Sequence, residues 1–454
     1  MHSLYNSIGS RIGNVKRISP GLVAGLYLLV QVIAIHPFFL VRGKTRFITR
    51  VLESHAMSKG CKKQSRFTLR ISSTLFWLVL SACASTTVPD AAIAEPESGL
   101  NDNSALATST SVSQKIQETN TDSDFEPTLE GTLAEGGINP LTGQVVLVAD
   151  RLGRRPILAK VTLFPRNNRP QWGLSRADII YEHYTEGGLS RFSALFYGQE
   201  AEIVGPIRSA RLVDIQLVRM YGALFAYGSA DYRVLNEIDN TEFAERAVRE
   251  FPAGCPPLCR TDPAGQNHLV TDTQALRTFY IERGTDISAP NLGGMRFGNM
   301  PTNESGPGIN LRVSYSVDDF HEWVYAEENG FYRRYQESGD GPGKVLPLTD
   351  RLTGQPIESA NVVLIQVPHE LYARTPEIVD IQLYGQGEGM ALRDGNAYKV
   401  QWIRPYPEGV LYLTLLDGSD YPFKPGTTWF EIVGTTSKVE QQSRGNWTVS
   451  FAMP

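Results

Sequence analysis

What this chain of 454 residues lacks narrows it first. It has no Gly-x-Ser-x-Gly elbow, no phosphate-cradling Walker loop and no pair of histidines at zinc spacing, so the common marks of several enzyme classes are missing. Cysteine is scarce. Cys61 and Cys83 flank or end a hydrophobic segment, and Cys255 and Cys259 form the run Cys-Pro-Pro-Leu-Cys. A structural zinc takes four ligands, and the only nearby addition to that pair is His268. The residues therefore imply no metal and no cofactor. A net positive charge is missing from most of the chain as well. The formal net charge is −5, yet residues 1–83 hold 12 Lys and Arg against the single acid Glu53, which leaves −16 for the remainder. A surface that acidic repels phosphate backbones and argues against nucleic acid as a partner.

What is present begins with targeting. Met57 to Cys83 runs from a basic stretch (Lys59, Lys62, Lys63, Arg66, Arg70) through an apolar run, Ile71 to Leu80, to Leu80-Ser81-Ala82-Cys83. The apolar run is too short to cross roughly 30 Å of hydrocarbon as a helix, which favours a cleaved signal. Its end resembles a bacterial lipobox. That resemblance implies lipidation of Cys83, a mature chain starting there, and a place on the outer face of the cytoplasmic membrane. Two or three acyl chains anchor a protein where one does not. Residues 1–56 contain an apolar stretch, Gly21 to Val41, with basic flanks on both sides. They read as a transmembrane segment or as an extension upstream of a start at Met57. Outside the membrane, a disulfide between Cys255 and Cys259 is the simpler reading of that pair.

From Ala84 to Ile138 there is hardly an aromatic, and ten acids face Lys115 alone. Such a segment buries too little apolar surface to offset its ordering entropy, so residues 84–138 read as a disordered acidic tether. Alternating and helical patterns then predict an α+β or α/β N-terminal domain over 139–283. Strands are expected at Ile157 to Phe164, Ile179 to Tyr184 and Arg191 to Tyr197, with Gly187-Gly188 turning the last two into a hairpin. Helices are expected at Ser209 to Met220, Tyr232 to Asn236, Glu242 to Glu250 and Asp272 to Arg283. A Gly-, Pro- and Asn-rich linker, 284–309, leads to a mostly β C-terminal domain over 310–454.

Three motifs carry a family resemblance. They are Arg169-Pro170-Gln171-Trp172-Gly173 through Glu182, Glu186-Gly187-Gly188-Leu189-Ser190-Arg191-Phe192, and Gly205-Pro206-Ile207-Arg208-Ser209-Ala210-Arg211. With Asn267 to Thr271 and Phe423 to Trp429, they make residues 139–436 similar to the YerB-like lipoprotein family. The resemblance implies a two-domain envelope lipoprotein and no established reaction. Leu163 to Asn168 departs from it, because relatives tend to show an Asp-Asn type sequence after the first strand.

The best candidate site is the loop Gly205 to Arg211 entering a helix. Free backbone N–H groups at a helix start and two guanidinium groups suit a carboxylate or phosphate. Expected ligand-binding residues are Arg208, Ser209, Arg211, Arg191, Asp178, Glu182 and Glu186; equally, Arg208 and Arg211 could brace those acids internally. Glu182, Glu186 and His268 are the candidates for acid–base chemistry, with His183 a further general base. On a straight strand Glu182 and Glu186 would share a face about 13 Å apart, beyond the reach of paired glycosidase carboxylates. Aromatics such as Trp323, Trp402, Tyr406 and Trp429 suit either sugar stacking or a core of cross-strand pairs. Two functions follow: a binding or scaffold protein for a cell-wall glycan or envelope protein, or a hydrolase or transferase acting on an anionic envelope polymer.

Overall fold

The computed structural model describes residues 137–453 apart from 266–267, 300–304 and 342. Cys83 and its signal, the first 56 residues and the tether up to residue 136 lie outside the described residues. Among the described residues, no helix is long and apolar enough to cross a membrane.

The N-terminal part is a mixed α and β layer. Its centre is β1 (Ile157–Thr162), buried at every position, flanked by the hairpin β2 (Ile179–Glu186) and β3 (Leu189–Phe196). Full burial of successive residues means that both faces are covered, as in the interior of a sheet. Gly187 and Gly188 join the hairpin with φ of 62° and 80°. Positive φ at both central residues is what a two-residue turn of matching twist demands. Helix α1 (Leu212–Tyr221) follows and ends at Gly222 in the left-handed conformation. Strand β4 (Leu224–Tyr227) then pairs parallel with β1. Helices α2 (Tyr232–Asp239) and α3 (Thr273–Glu282) start at Asp231 and Asp272, whose carboxylates accept N–H groups of the first turn.

The segment Glu242 to Glu250, expected as one helix, is instead a single 3-10 turn followed by β5 (Ala247–Arg249), parallel to β4. The open edge of β4 offers ladder partners that override local propensity.

The C-terminal part is mostly β. Its longer strands are β6 (Ser305–Ser314), β7 (Phe320–Ala326), β8 (Phe331–Glu337), β9 (Asn361–Val367), β10 (His369–Arg374), β11 (Glu377–Ile381), β12 (Gly385–Arg393), β13 (Asn396–Arg404), β14 (Tyr412–Leu415), β15 (Thr428–Gly434), β16 (Lys438–Ser443) and β17 (Gly445–Ser450). The stretch expected as a linker holds the start of β6 and a short pairing of Arg296–Phe297 with Pro422–Phe423. Strand β15 lies parallel between β2 and β9, so one sheet runs β5-β4-β1-β3-β2-β15-β9-β12-β13 across both parts. Trp323, Trp402 and Trp429 are fully buried. Trp429 meets Trp323 and Phe192 edge-on at centroid distances of 5.0 and 5.1 Å, which makes these rings core packing. Tyr406, by contrast, is exposed.

Candidate functional site

Strand β2 carries acids to both of its faces, because its pairing with β3 slips between Tyr184 and Glu186. This bulge re-aims Glu186. In place of the shared face of a straight strand, Glu182 points to one side of the sheet and Glu186 to the other.

On the Glu186 side the structure brings together Arg191, Arg211 and Glu186. Arg191 donates from Nη2 to Glu186 Oε1 at 2.8 Å, and Arg211 from Nε to Oε2 at 2.8 Å with its Nη2 also on this carboxylate. Both guanidiniums also donate to the Ser209 carbonyl. Arg208 comes from the same loop, feels the Arg211 and Glu186 charges, and has a buried Nε with no hydrogen-bond partner among the described residues. Two guanidiniums thus bind one carboxylate, and a third lies near enough to feel its charge. Burial and the neighbouring Arg211 charge press Arg191 down to about 9. Burial and Arg211 lower Arg208 too. Burial alone would raise Glu186, but its bonds to Arg211 and the Arg191 charge hold it below the usual carboxylate range. A net excess of positive charge in a partly dry site is what an incoming anion relieves.

Beneath this layer lies a sealed quartet that sequence reading missed, apart from His183. Lys160 Nζ reaches Asp214 Oδ1 and Ser193 Oγ at 2.9 Å each and His183 Nε2 at 2.5 Å. His183 Nδ1 lies 2.9 Å from the Tyr184 carbonyl. A carbonyl only accepts, so the ring proton sits on Nδ1 and Nε2 offers its lone pair to the ammonium. Burial lowers Lys160 to about 8, against the pull of Asp214. Burial and Lys160 together push His183 well below its ordinary value. Asp214 also accepts the Arg211 N–H at 2.6 Å, which ties the quartet to the start of α1. The one signal available in the sequence was a single charge inside the apolar run of β1.

Glu182 is fully buried on the opposite face. It accepts from Ser190 at 2.8 Å and pairs with Arg334 at 2.8 Å. Arg334 lies over the Trp429, Phe192 and Trp323 rings at 4.8, 5.2 and 5.4 Å. Glu431 accepts from Trp323 at 2.8 Å and sits 2.9 Å from His321 Nε2. Donor atoms of Glu182, His321 and Glu431 lie within 4.8 Å of one another, a spacing a metal could bridge. Arg334 already supplies the cation there, because its Nη1 is 2.8 Å from Glu182 and 3.5 Å from Glu431.

The remaining expected residues lie elsewhere. Asp178 is buried and accepts from Asn139, Tyr197 N–H and Gly198 N–H, which fixes the entry to β2; burial raises it to about 6. His268 sits beside Thr261, just before the short strand Leu269–Thr271 that pairs with Leu258–Arg260. Cys255 and Cys259 form a disulfide with Cα atoms 4.6 Å apart.

Comparison with known proteins agrees with this architecture. Residues 141–285 match the family described as protein of unknown function (DUF3048), N-terminal domain, and residues 311–430 match its C-terminal domain. A curated relative, "Putative lipoprotein YerB" of Bacillus subtilis (strain 168), is 28% identical over 296 residues, 62% of this chain and 81% of the relative. The crystal structure of the Bacillus subtilis YerB protein superposes with a TM-score of 0.56 at 26% identity, covering 65% of this chain and 96% of that one. With both domains matched in order and the fold shared, the chain belongs to this YerB-like, two-domain family of unknown function.

Proposed function

We propose that this protein is a lipoprotein of the cell envelope, held by Cys83 at the outer face of the cytoplasmic membrane, whose arginine site captures an anionic group of a wall polymer or of an envelope partner. The observation that carries the reading is the imbalance at Glu186, where Arg191 and Arg211 bind one carboxylate while Arg208, near enough to feel the Arg211 and Glu186 charges, has a buried Nε with no acceptor among the described residues. Arginine suits this task, since its fork takes a carboxylate or phosphate through two bonds. On a chain that carries −16 beyond residue 83, such a site is a local exception to the prevailing charge. The hydrolase or transferase alternative finds less support. Glu182 is sealed with Arg334, Glu186 is clamped by two arginines, and the bulge places them on opposite faces.

Binding to purified wall sacculi, with and without their anionic polymers, tests the reading. The intact protein is expected to bind the complete sacculi and to release them as salt rises. Arg208→Ala is expected to weaken binding about tenfold, the effect of losing a charged hydrogen bond, without changing the fold. Equal binding of wild type and Arg208→Ala, or equal binding to stripped sacculi, sinks the proposal.

A further inference from the structure

A second concavity lies in the C-terminal part, away from the arginines. It is a groove of about 930 Å³ bounded by β13, the tip after β14, and the hairpin of β16 and β17. That volume lies within the range of small-ligand sites, roughly 300 to 1,000 Å³. Trp447 of β17 lines it while partly exposed, and its indole N–H is tied to the Pro307 carbonyl at 3.1 Å. That bond fixes one edge of the ring, which is partly packed against the core and leaves its exposed part to a ligand. Around it lie Leu416, Lys399, Asp417 and Gln441. Gln441 is the cross-strand partner of Trp447, is exposed, and makes no side-chain hydrogen bond among the described residues. Lys399 is exposed and forms no ion pair among them.

The chemistry of this lining selects its guest. One lysine and one aspartate balance, so the groove favours neither sign of charge, unlike the arginine site. A planar aromatic ring flanked by amide and charged hydrogen-bonding groups matches a pyranose, which has an apolar C–H face and a rim of hydroxyls. Along the floor, β13 is hydrogen-bonded to β12 on one side and to β6 and β14 on the other. An extended peptide would find no free ladder on this floor strand; among the described residues β16 pairs only with β17, so its outer edge is the one place a peptide could add, which the peptide arm of the test below addresses. At Gly306 the floor is bare, since a side chain there would meet nothing within 4 Å.

We propose that this groove is a saccharide subsite for a neutral glycan segment, with one sugar ring stacked on Trp447 and its hydroxyls held by Gln441, Lys399 and Asp417. Its residues are separate from those of the arginine site, and the two readings stand or fall independently. The test is calorimetric titration of the full chain, in a detergent without sugar headgroups, with tetra-N-acetylglucosamine, alongside its tryptophan emission. Saturable binding with a shift in emission is expected, weakened about tenfold by Trp447→Ala and unchanged by Arg208→Ala. Should Trp447→Ala fail to fold, Gln441→Ala on the exposed rim carries the test, with an expected loss of about threefold. Absence of saturable binding, wild-type affinity in the folded groove variant, or binding of a neutral extended peptide in the sugar's place overturns the proposal.

Discussion

Lys160 presents three N–H groups to three acceptors, and none of the four side chains of its quartet reaches solvent. A buried pair of this kind contributes little net stability, but breaking it strands a charge. Lys160→Met is therefore expected to cost about 3–5 kcal/mol in urea unfolding, because Asp214 loses its counter-charge. Adding Asp214→Asn should recover a large part of that loss, and a double-mutant cycle measures the recovery. On the other face, burial lifts Glu431 to about 7 against the pull of Arg334, while burial and the Glu182 charge lift Asp319 to about 7. A carboxyl raised on folding stabilises fully below its unfolded value near 4.5, and that contribution is lost as pH rises through the folded value. The histidines oppose this trend. Burial lowers His321 to about 3 and His369 to about 4, so their contribution grows as pH rises toward 6.5. The clean measurement is thus a difference: Glu431→Gln should gain on wild type by about 1 to 3 kcal/mol between pH 4.5 and 7.5. A constant difference across that window rules the assignment out.

At the scale of elements, the β2–β3 turn decides where the arginine site stands. Both of its glycines hold positive φ, yet a Cβ at Gly187 meets nothing within 4 Å, whereas one at Gly188 comes within 2.9 Å of Ser316 Cβ. Gly187→Ala is expected to cost about 1 kcal/mol from backbone strain alone, and Gly188→Ala clearly more, as read from thermal midpoints. This hairpin was legible in the sequence, since Gly-Gly between two alternating runs is a direct turn signal. Helix α1 was legible too, from its spaced Leu212, Ile215 and Val218. The bulge before Glu186 was not, because no residue type marks a slip in register, and so the facing of Glu182 and Glu186 came out differently. Strand β5 was hidden for a related reason: its three residues are fixed by the edge of β4 and not by their own pattern. Arg334, His321 and Glu431 escaped notice because the charged groups they join are far apart in the chain, Glu182 lying 152 residues from Arg334 and Glu431 lying 110 from His321.

For the whole molecule, the two matched domain sequences are not two separate bodies. Strand β15 closes the edge of β2, Glu337 takes both Arg166 and Arg169, and Asp350 accepts the N–H groups of Gly173 and Ser175. Arg334 is the deepest of these links, since it joins Glu182 of one part to Glu431 of the other inside a box of aromatic rings. Separating the parts would bare the β2 ladder and leave Glu182 without its cation, so neither part gains by unfolding alone. Residues 137–453 are therefore expected to unfold in one transition, with tryptophan emission and far-ultraviolet circular dichroism coincident. Arg334→Met should move that transition to lower denaturant by about 3–5 kcal/mol while keeping it single, because the stranded carboxylates burden both parts at once. Two resolved transitions in the wild type would show that each part holds itself together, and the shared sheet would then be a contact between domains, not the core of one folding unit.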